Sequence, residues 1–259
     1  MDTVSKDKKR IHLLDEIRGI AVFCMIFYHA FYILGTSFGI NGATEFFNFF
    51  MPVQPIFACI FIFICGISCT LSRSNLKRGL ILLGIALGMT FITAFVMPKI
   101  GFVECEIYFG ILHFLSVSIL IYVLLSKRIS KVSLFGGIIV CAILYAFTSK
   151  IGEGVLSYGN LFSFALPEKL YETNYLVPLG IYNSEFFSAD YFPIFPDIFI
   201  FFAGIFAGKH FITKGYPEWC FENKLPFFSF LGRNALVIYI AHMPLIFGVA
   251  YGIDLIINL

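Results

Sequence analysis

Long apolar segments recur along this chain and are separated by shorter polar stretches. Most of them approach the roughly 20 residues that an α-helix needs to cross the hydrocarbon core of a bilayer. The segments are Ile17–Phe38, Val53–Leu71, Gly79–Met97, Ile107–Leu125, Val132–Phe147, Tyr191–Gly208 and Phe227–Phe247. The apolar tail Gly248–Leu259 is too short to cross again. The pattern therefore predicts an all-α, polytopic transmembrane bundle of about seven helices.

Lys and Arg are distributed unevenly among the connections between these segments. With the N-terminus in the cytoplasm, most of the 18 basic residues fall in cytoplasmic connections, and Lys99, Lys150 and Lys169 fall outside. Cytoplasmic loops of membrane proteins carry such an excess of basic residues. Arg18 and Arg233 then lie at the inner ends of the first and last spans. We therefore predict a cytoplasmic N-terminus and an external C-terminus.

The composition agrees with a multi-pass protein of the cell membrane, surrounded by membrane lipids. Hydrophobic residues make up 59% of the chain and charged residues 13%, whereas soluble domains carry about 25% charged residues. The net charge of +2 gives no indication of nucleic-acid binding. The length suits a single domain, 1–259, and the seven cysteines form neither a CxxC metal pair nor a disulfide framework. A homo-oligomer stays open, because lipid-facing and partner-facing helix faces look alike.

The longest connection, residues 148–190, is predicted to be external. It is rich in aromatic and acidic residues, and its two semi-apolar patches, Val155–Leu166 and Leu176–Ile181, are too short to span the bilayer. We expect these patches to be interfacial or re-entrant pieces. Long ordered loops often act as lids or binding surfaces, and a simple connector is the alternative.

Arg18 and His29 share the first span, where ionisable residues are costly and mark functional sites by default. The two residues are 11 positions apart, which is close to three helical turns, or roughly 16 Å along the axis. Both side chains are therefore expected on one helix face, with Asp15 one turn before Arg18 to orient it. This arrangement puts a cation at the inner surface and an imidazole in the outer half. The alternative is that Arg18 only anchors the helix by snorkelling.

Two further histidines are expected at the depth of His29. His113 lies early in the fourth span and His242 late in the last, so three imidazoles from three helices share one membrane level. Asp197, near the outer end of the sixth span, could join them. His12, in contrast, lies in a cytoplasmic segment and is expected to be solvated. The alternative for each intramembrane histidine is a hydrogen bond to neighbouring backbone.

Five short motifs, in order along the chain, carry a family resemblance. They are Leu14-Asp15-Glu16-Ile17-Arg18-Gly19 with His29, Phe63-Ile64-Cys65-Gly66, Tyr108-Phe109-Gly110-Ile111-Leu112-His113, Phe192-Pro193-Ile194-Phe195-Pro196, and Leu231-Gly232-Arg233-Asn234 with His242. Together they resemble the bacterial branch of the heparan-alpha-glucosaminide N-acetyltransferase catalytic-domain family over nearly the whole chain. The Arg18–His29 spacing also resembles the Arg/His motif of the type-three membrane acyltransferases.

These resemblances imply a transmembrane acyltransferase engaged in glycan modification. An acyl group, acetyl in this family, passes from cytoplasmic acyl-CoA to an acceptor, usually a sugar, on the far side of the membrane. The implied donor substrate is acetyl-CoA, and the implied acceptor is an extracytoplasmic carbohydrate, either a sugar or an amino sugar. Transfer to nitrogen and transfer to oxygen both stay open, and no bound metal is expected.

The residues suggest how such an enzyme would work. A cation at the cytoplasmic face can hold phosphates, and Arg suits them through its planar fork. The candidate donor-binding residues lie at that inner surface and are Arg18, Asp15, Arg73, Arg78, Arg233 and Asn234, the last with helix capping as an alternative. The candidate catalytic residues are His29 as general base, with His113 or His242 donating to the oxyanion. A covalent acyl-histidine is the alternative route.

The chain departs from the family in two places, and two other function classes compete. Eukaryotic members associate the acetyl-handling histidine with the first lumenal loop, and Leu34–Pro52 contains none here. Asp197 follows the Phe-Pro-x-x-Pro segment where relatives often have an aromatic residue. The competing classes are an intramembrane histidine-ligated metal or haem protein and a small-solute transporter. Neither is favoured, because no predicted helix offers two ligands on one face and no inverted repeat relates the two halves.

Overall fold

The computed structural model describes residues 9–36, 38–100, 105–159 and 161–257, and most of these are helical. The predicted all-α class is therefore confirmed. The chain divides into two compact units, the first formed by residues 1–64 and 215–259 and the second by residues 65–214.

Nine α-helices and one β-hairpin make up the described part of the chain. The helices are α1 (His12–Thr36), α2 (Asn41–Phe50), α3 (Gln54–Leu71), α4 (Asn75–Phe91), α5 (Ile111–Ile129), α6 (Leu134–Thr148), α7 (Ile198–Lys214), α8 (Pro226–Arg233) and α9 (Ala235–Ile257). A π-helical turn, Ile92–Val96, prolongs α4, and the strands are β1 (Val155–Tyr158) and β2 (Phe162–Ala165). Six helical segments are long and apolar enough to cross a membrane: His12–Thr36, Gln54–Leu71, Asn75–Lys99, Ile111–Ile129, Leu134–Glu153 and Ala235–Ile253.

The predicted sixth span, Tyr191–Gly208, differs most from the structure. Its first residues are not helical, because Pro193 and Pro196 lack the backbone N–H that a helix interior requires. The helix α7 begins only at Ile198, continues past Gly208 to Lys214, and is 17 residues long. The chain thus has a seventh apolar helix that is shorter than the six segments able to span.

The predicted last span, Phe227–Phe247, is two helices in the structure. Helices α8 and α9 meet at Asn234, whose side-chain Nδ2 donates a hydrogen bond to the Phe230 carbonyl at 2.9 Å. Asn234 therefore caps the C-terminus of α8. Helix α9 continues to Ile257, so most of the apolar tail belongs to this helix.

In the first unit, α1 packs against α8 and also contacts α2 and α9. Two glycines allow the close approach of α1 to α8. A Cβ atom on Gly19 would lie 1.9 Å from the Phe228 carbonyl oxygen, and a Cβ atom on Gly232 would lie 1.8 Å from the Asp15 carbonyl oxygen. Neither position has room for a side chain, so the two backbones touch directly and fix the start of α1 against α8.

In the second unit, α4 packs on α5 and α6 packs on α7. The fully buried core side chains include Phe114 on α5 and Phe201 on α7. The first turn of α5 is held by Asp190, whose Oδ2 accepts a hydrogen bond from the Ile111 backbone N at 3.0 Å. This contact sets the position of the helix start that carries His113.

The connection at residues 148–190 also belongs to the second unit. Its first semi-apolar patch forms an antiparallel β-hairpin, in which Val155 pairs with Ala165 and Tyr158 with Phe162. Its second patch forms a 3₁₀ turn, Val177–Leu179. Neither patch is a re-entrant helix, because each folds within a few residues into a short element of its own.

Candidate functional site

The candidate residues divide between the two units. The first unit carries Asp15, Arg18, His29, Arg233, Asn234 and His242, and the second carries Arg73, Arg78, His113 and Asp197.

His29 on α1 and His242 on α9 form a hydrogen-bonded pair in the first unit. His242 Nε2 lies 3.0 Å from His29 Nδ1, and the ring centroids are 4.9 Å apart. His242 is buried, with 6% of its surface exposed. The pair therefore joins the two helices through their imidazoles inside the apolar part of the unit.

The backbone assigns the protons of this pair. His242 Nδ1 lies 2.6 Å from the Tyr239 carbonyl oxygen, and a carbonyl only accepts, so Nδ1 carries the hydrogen. In the neutral pair His242 Nε2 is then an acceptor, and His29 Nδ1–H donates to it. The Met25 backbone carbonyl is a further hydrogen-bond acceptor for the His29 ring N–H, and the remaining His29 nitrogen, Nε2, consequently carries a lone pair. A histidine oriented at one nitrogen and basic at the other is the arrangement a general base requires.

Aromatic residues of α1 and α2 lie beside His29. The Tyr28 ring packs edge-on against the His29 imidazole at 5.4 Å. Phe47 of α2 packs against Tyr28 at 4.9 Å and against Tyr32 at 5.4 Å. The short helix α2 thus supports the turn of α1 that carries His29.

A buried carboxylate organises the start of α1. Asp15 is 6% exposed; its Oδ2 accepts from Arg10 Nε at 2.6 Å and its Oδ1 from Arg18 Nη1 at 3.2 Å. Arg18 Nη1 also lies 3.4 Å from the Gly232 carbonyl oxygen of α8. Asp15 therefore orients Arg18, and two guanidinium groups around one carboxylate give this cluster a net positive charge.

Arg18 and His29 point to the same side of α1. Arg18 contacts Gly232 and His29 contacts His242, and these two partners belong to the continuous α8–α9 segment. Along an α-helix, 11 residues correspond to roughly 16 Å. The Arg18 guanidinium and the oriented His29 imidazole consequently both face the α8–α9 segment, from positions about three turns apart on α1.

Two further polar contacts at this end of the first unit were not predicted from the sequence. Glu16, 4% exposed, accepts a hydrogen bond from the Leu225 backbone N at 2.9 Å, one residue before α8. His12, expected to be solvated, is instead half-buried, with Nδ1 3.4 Å from Ser229 Oγ. The position of Glu16, an acidic residue directly beside a long apolar run, could have indicated a buried contact. Its partner could not be predicted, because it is a backbone N–H and every residue except proline has one.

His113 in the second unit has a different environment. Its Nδ1 accepts from the Gly110 backbone N at 3.3 Å, so the hydrogen of the neutral ring is on Nε2, which lies 3.1 Å from Thr90 Oγ1. The Thr90 hydroxyl in turn donates to the Ile107 carbonyl at 2.7 Å. Both imidazole nitrogens are therefore engaged, and His113 closes the first turn of α5 in the manner of a helix cap.

The other candidates have separate surroundings. Arg73 and Arg233 are exposed, and Arg78 is half-buried with Nη1 3.8 Å from Cys69 Sγ. Asp197 lies in the turn before α7, where its carbonyl accepts from the Ile200 backbone N at 3.0 Å. Across residues 9–36, 38–100, 105–159 and 161–257, no group of three or more His, Cys, Asp or Glu side chains could hold a metal ion.

One comparison with known proteins gave a result. The family model described as "Heparan-alpha-glucosaminide N-acetyltransferase, catalytic" matches residues 10–244. That range includes every candidate residue above. Comparisons with curated proteins and with solved structures gave no match.

Proposed function

We propose, because this chain belongs to the heparan-alpha-glucosaminide N-acetyltransferase catalytic family, that it transfers an acetyl group across the cell membrane. The donor is cytoplasmic acetyl-CoA, and the acceptor is a sugar or amino sugar on the external side. The family is one of acetyltransferases, and six helical segments of the described chain can cross a membrane. The observation that most supports the proposal is the hydrogen bond between His242 of α9 and His29, which lies on the same helix as Arg18.

The donor is held at the predicted cytoplasmic end of α1. The Arg18 guanidinium binds phosphate oxygens of acetyl-CoA, and its planar fork suits two of them at once. Asp15 keeps this guanidinium oriented, and Arg10 offsets the carboxylate charge. Arg73, Arg78, Arg233 and Asn234 are further candidates for donor contacts from the same side of the membrane. The pantetheine arm then extends along α1 toward His29.

The chemical step takes place at His29. The acceptor nitrogen or oxygen attacks the carbonyl carbon of the thioester and loses its proton to His29 Nε2. The bond from that carbon to the acceptor forms as the carbon–sulfur bond breaks, and the leaving CoA thiolate takes the proton from the His29 imidazolium, which returns the base to its neutral form. His242 supports the step because its Nε2 accepts from His29 Nδ1–H and stabilises the imidazolium. A covalent acyl-histidine on Nε2 is the alternative route with the same residue.

We propose a different role for His113. Its Nε2–H is already directed at Thr90 Oγ1, so donation to an oxyanion would break the contact that links α5 to Thr90 of α4. We therefore assign His113 to positioning α5, and we keep the oxyanion contact for other donors near His29.

The test is a sided transfer assay. Wild-type protein is reconstituted into sealed vesicles, radiolabelled acetyl-CoA is supplied to one face, and glucosamine-type acceptors are supplied to the other. We expect labelled acceptor only when acetyl-CoA is on the face that carries the N-terminus, and roughly 10²–10⁴-fold slower labelling by His29→Ala in matched vesicles. Labelling that is equal from both faces would contradict the sidedness. Folded wild-type protein that yields no labelled acceptor and no labelled protein would contradict the proposed activity.

A further inference from the structure

The hairpin that follows α6 presents one apolar face. Residues that pair across an antiparallel ladder point to the same side of the sheet, and the register pairs Leu156 with Phe164 and Tyr158 with Phe162. We call these four residues the aromatic face. The two serines of the hairpin pair with each other, Ser157 with Ser163, on the opposite side.

This face is open to its surroundings. Phe162 is 54% exposed and Phe164 61%, and Leu161, in the turn beside them, is 80% exposed. The sequence contains no charged residue between Glu153 and Glu168. A water-facing hairpin would expose these rings at a cost of about 25 cal/mol per Å² of apolar surface. A contiguous exposed apolar patch of this kind marks a surface for a partner or a membrane.

The aromatic face continues the outer surface of α6. The Phe162 ring lies 5.8 Å from the Phe147 ring, one residue before the end of α6. Helix α6 belongs to the membrane-crossing segment Leu134–Glu153 and exposes Ile139 and Ile143 along its length. The lipid-facing surface of this helix therefore passes without interruption into the rings of the hairpin.

The backbone of the hairpin limits how deep it can lie. The described sheet has two strands, β1 and β2, so the outer edge of each carries N–H and C=O groups that need partners. Hydrocarbon supplies none, whereas the headgroup region does. Tyr and Trp rings favour that region, where they form the belts of membrane proteins, and Tyr158 supplies such a ring here. The backbone groups at the strand edges and the aromatic rings together restrict the hairpin to the headgroup region of the membrane.

We propose that this hairpin is an interfacial membrane anchor, whose partner is the lipid surface around the end of α6. The aromatic face sits among headgroups and upper acyl chains, and Ser157, on the opposite side, is buried against the protein with 7% of its surface exposed. The base of the hairpin is fixed by Tyr171, whose hydroxyl donates to the Ile151 carbonyl. A glycan would need several hydrogen-bonding groups beside the rings, whereas this face carries one, the Tyr158 hydroxyl, and the serines lie on the opposite side.

Fluorescence of single-tryptophan variants tests the anchor. The chain has one tryptophan, Trp219, so Trp219→Phe provides the background for Leu161→Trp, with Phe164→Trp as a second reporter in case the first does not fold. The matched control is Tyr175→Trp, because Tyr175 lies in the same connection, is 88% exposed and has polar neighbours. Each variant is measured in phosphatidylcholine nanodiscs, with bromine on the acyl chains close to the headgroup or close to the chain end.

The expected result is a blue-shifted emission for the hairpin reporters and quenching by shallow bromine several-fold stronger than for the control. Deep bromine should quench less than shallow bromine. The control should be quenched mainly by aqueous acrylamide. Hairpin reporters that are as accessible to acrylamide as the control, and are insensitive to bromine, would overturn the anchor. So would a change of their emission on adding chito-oligosaccharides without lipid quenching, which would assign the face to a glycan.

Discussion

The two units place the same side chain in opposite hydrogen-bond situations. In the second unit, His113 uses one nitrogen as acceptor and the other as donor, and its partners are the Gly110 backbone N and the Thr90 hydroxyl of α4. In the first unit, His29 is oriented through Nδ1 by His242, which is itself fixed by a carbonyl. The direction of each hydrogen bond separates the two residues. A histidine whose nitrogens are both engaged stabilises a fold, whereas one with an oriented ring and a lone pair can accept a proton.

The largest difference is expected when the imidazole of His29 or of His113 is removed and acetyl transfer is measured. His29→Ala should lower kcat by roughly 10²–10⁴-fold, the usual contribution of a positioned general base. His113→Phe should retain most of the activity in the same radiolabelled acetyl-CoA assay. Equal losses in the two variants would show that the hydrogen-bond pattern does not distinguish their roles.

Removal of the partner of His29 should have a smaller effect. His242→Phe removes the nitrogen that accepts from His29 Nδ1–H, and the loss of a hydrogen-bond partner in a buried site costs about 1–3 kcal/mol. We expect kcat to fall roughly tenfold to a hundredfold with the KM for acetyl-CoA unchanged. His242→Gln should recover part of the loss, because the amide oxygen can accept from Nδ1–H. A change confined to KM would mean that His242 acts in binding instead.

Substitutions at the inner end of α1 should separate the binding of the donor from the chemical step at His29. Arg18→Gln should raise the KM for acetyl-CoA about tenfold, since hydrogen bonds to charged groups contribute about 1.5–3 kcal/mol, and should leave kcat nearly unchanged. Arg10→Gln is the matched control, because Arg10 binds the same carboxylate but is half exposed. Equal effects of the two substitutions would indicate a general attraction by the cluster and no specific contact with Arg18.

The smallest effect is expected on stability in the second unit. Loss of the His113 cap should lower the free energy of unfolding by about 1–2 kcal/mol, measured as a lower thermal midpoint of purified His113→Phe. Thr90→Val removes the hydroxyl that accepts from His113 Nε2–H. Because the two substitutions remove one shared hydrogen bond, the double variant should lose less stability than the sum of the two single losses. Strictly additive losses would mean that the two side chains stabilise the protein independently.

Much of the fold could be predicted because a bilayer imposes a length on every apolar segment. The family resemblance also holds, since the matching model covers residues 10–244. The errors lie where local chemistry interrupts an apolar run. Pro193 and Pro196 delay the start of α7, and Asn234 divides the last segment into two helices. Neither change alters the average hydropathy on which the prediction depended.

The candidate site was predictable only along one helix. Helical spacing placed Arg18 and His29 on one face, and their contacts lie on one neighbouring segment. The pairing of His29 with His242 depends on how α1 packs against α9, which depth alone does not specify. The partners of Glu16 and His113 are backbone N–H groups, and every residue except proline has one.

The contact between Gly19 and Gly232 has a mechanical consequence. With no side chain between the two backbones, each glycine forms a recess for a carbonyl oxygen of the opposite helix. A sliding motion of α1 along α8 would drive those oxygens into the neighbouring Cβ atoms, so a piston movement of this helix is sterically blocked. Helices α1 and α8 therefore move together as one rigid body. Any bending of the α8–α9 segment occurs at Asn234, where the two helices meet.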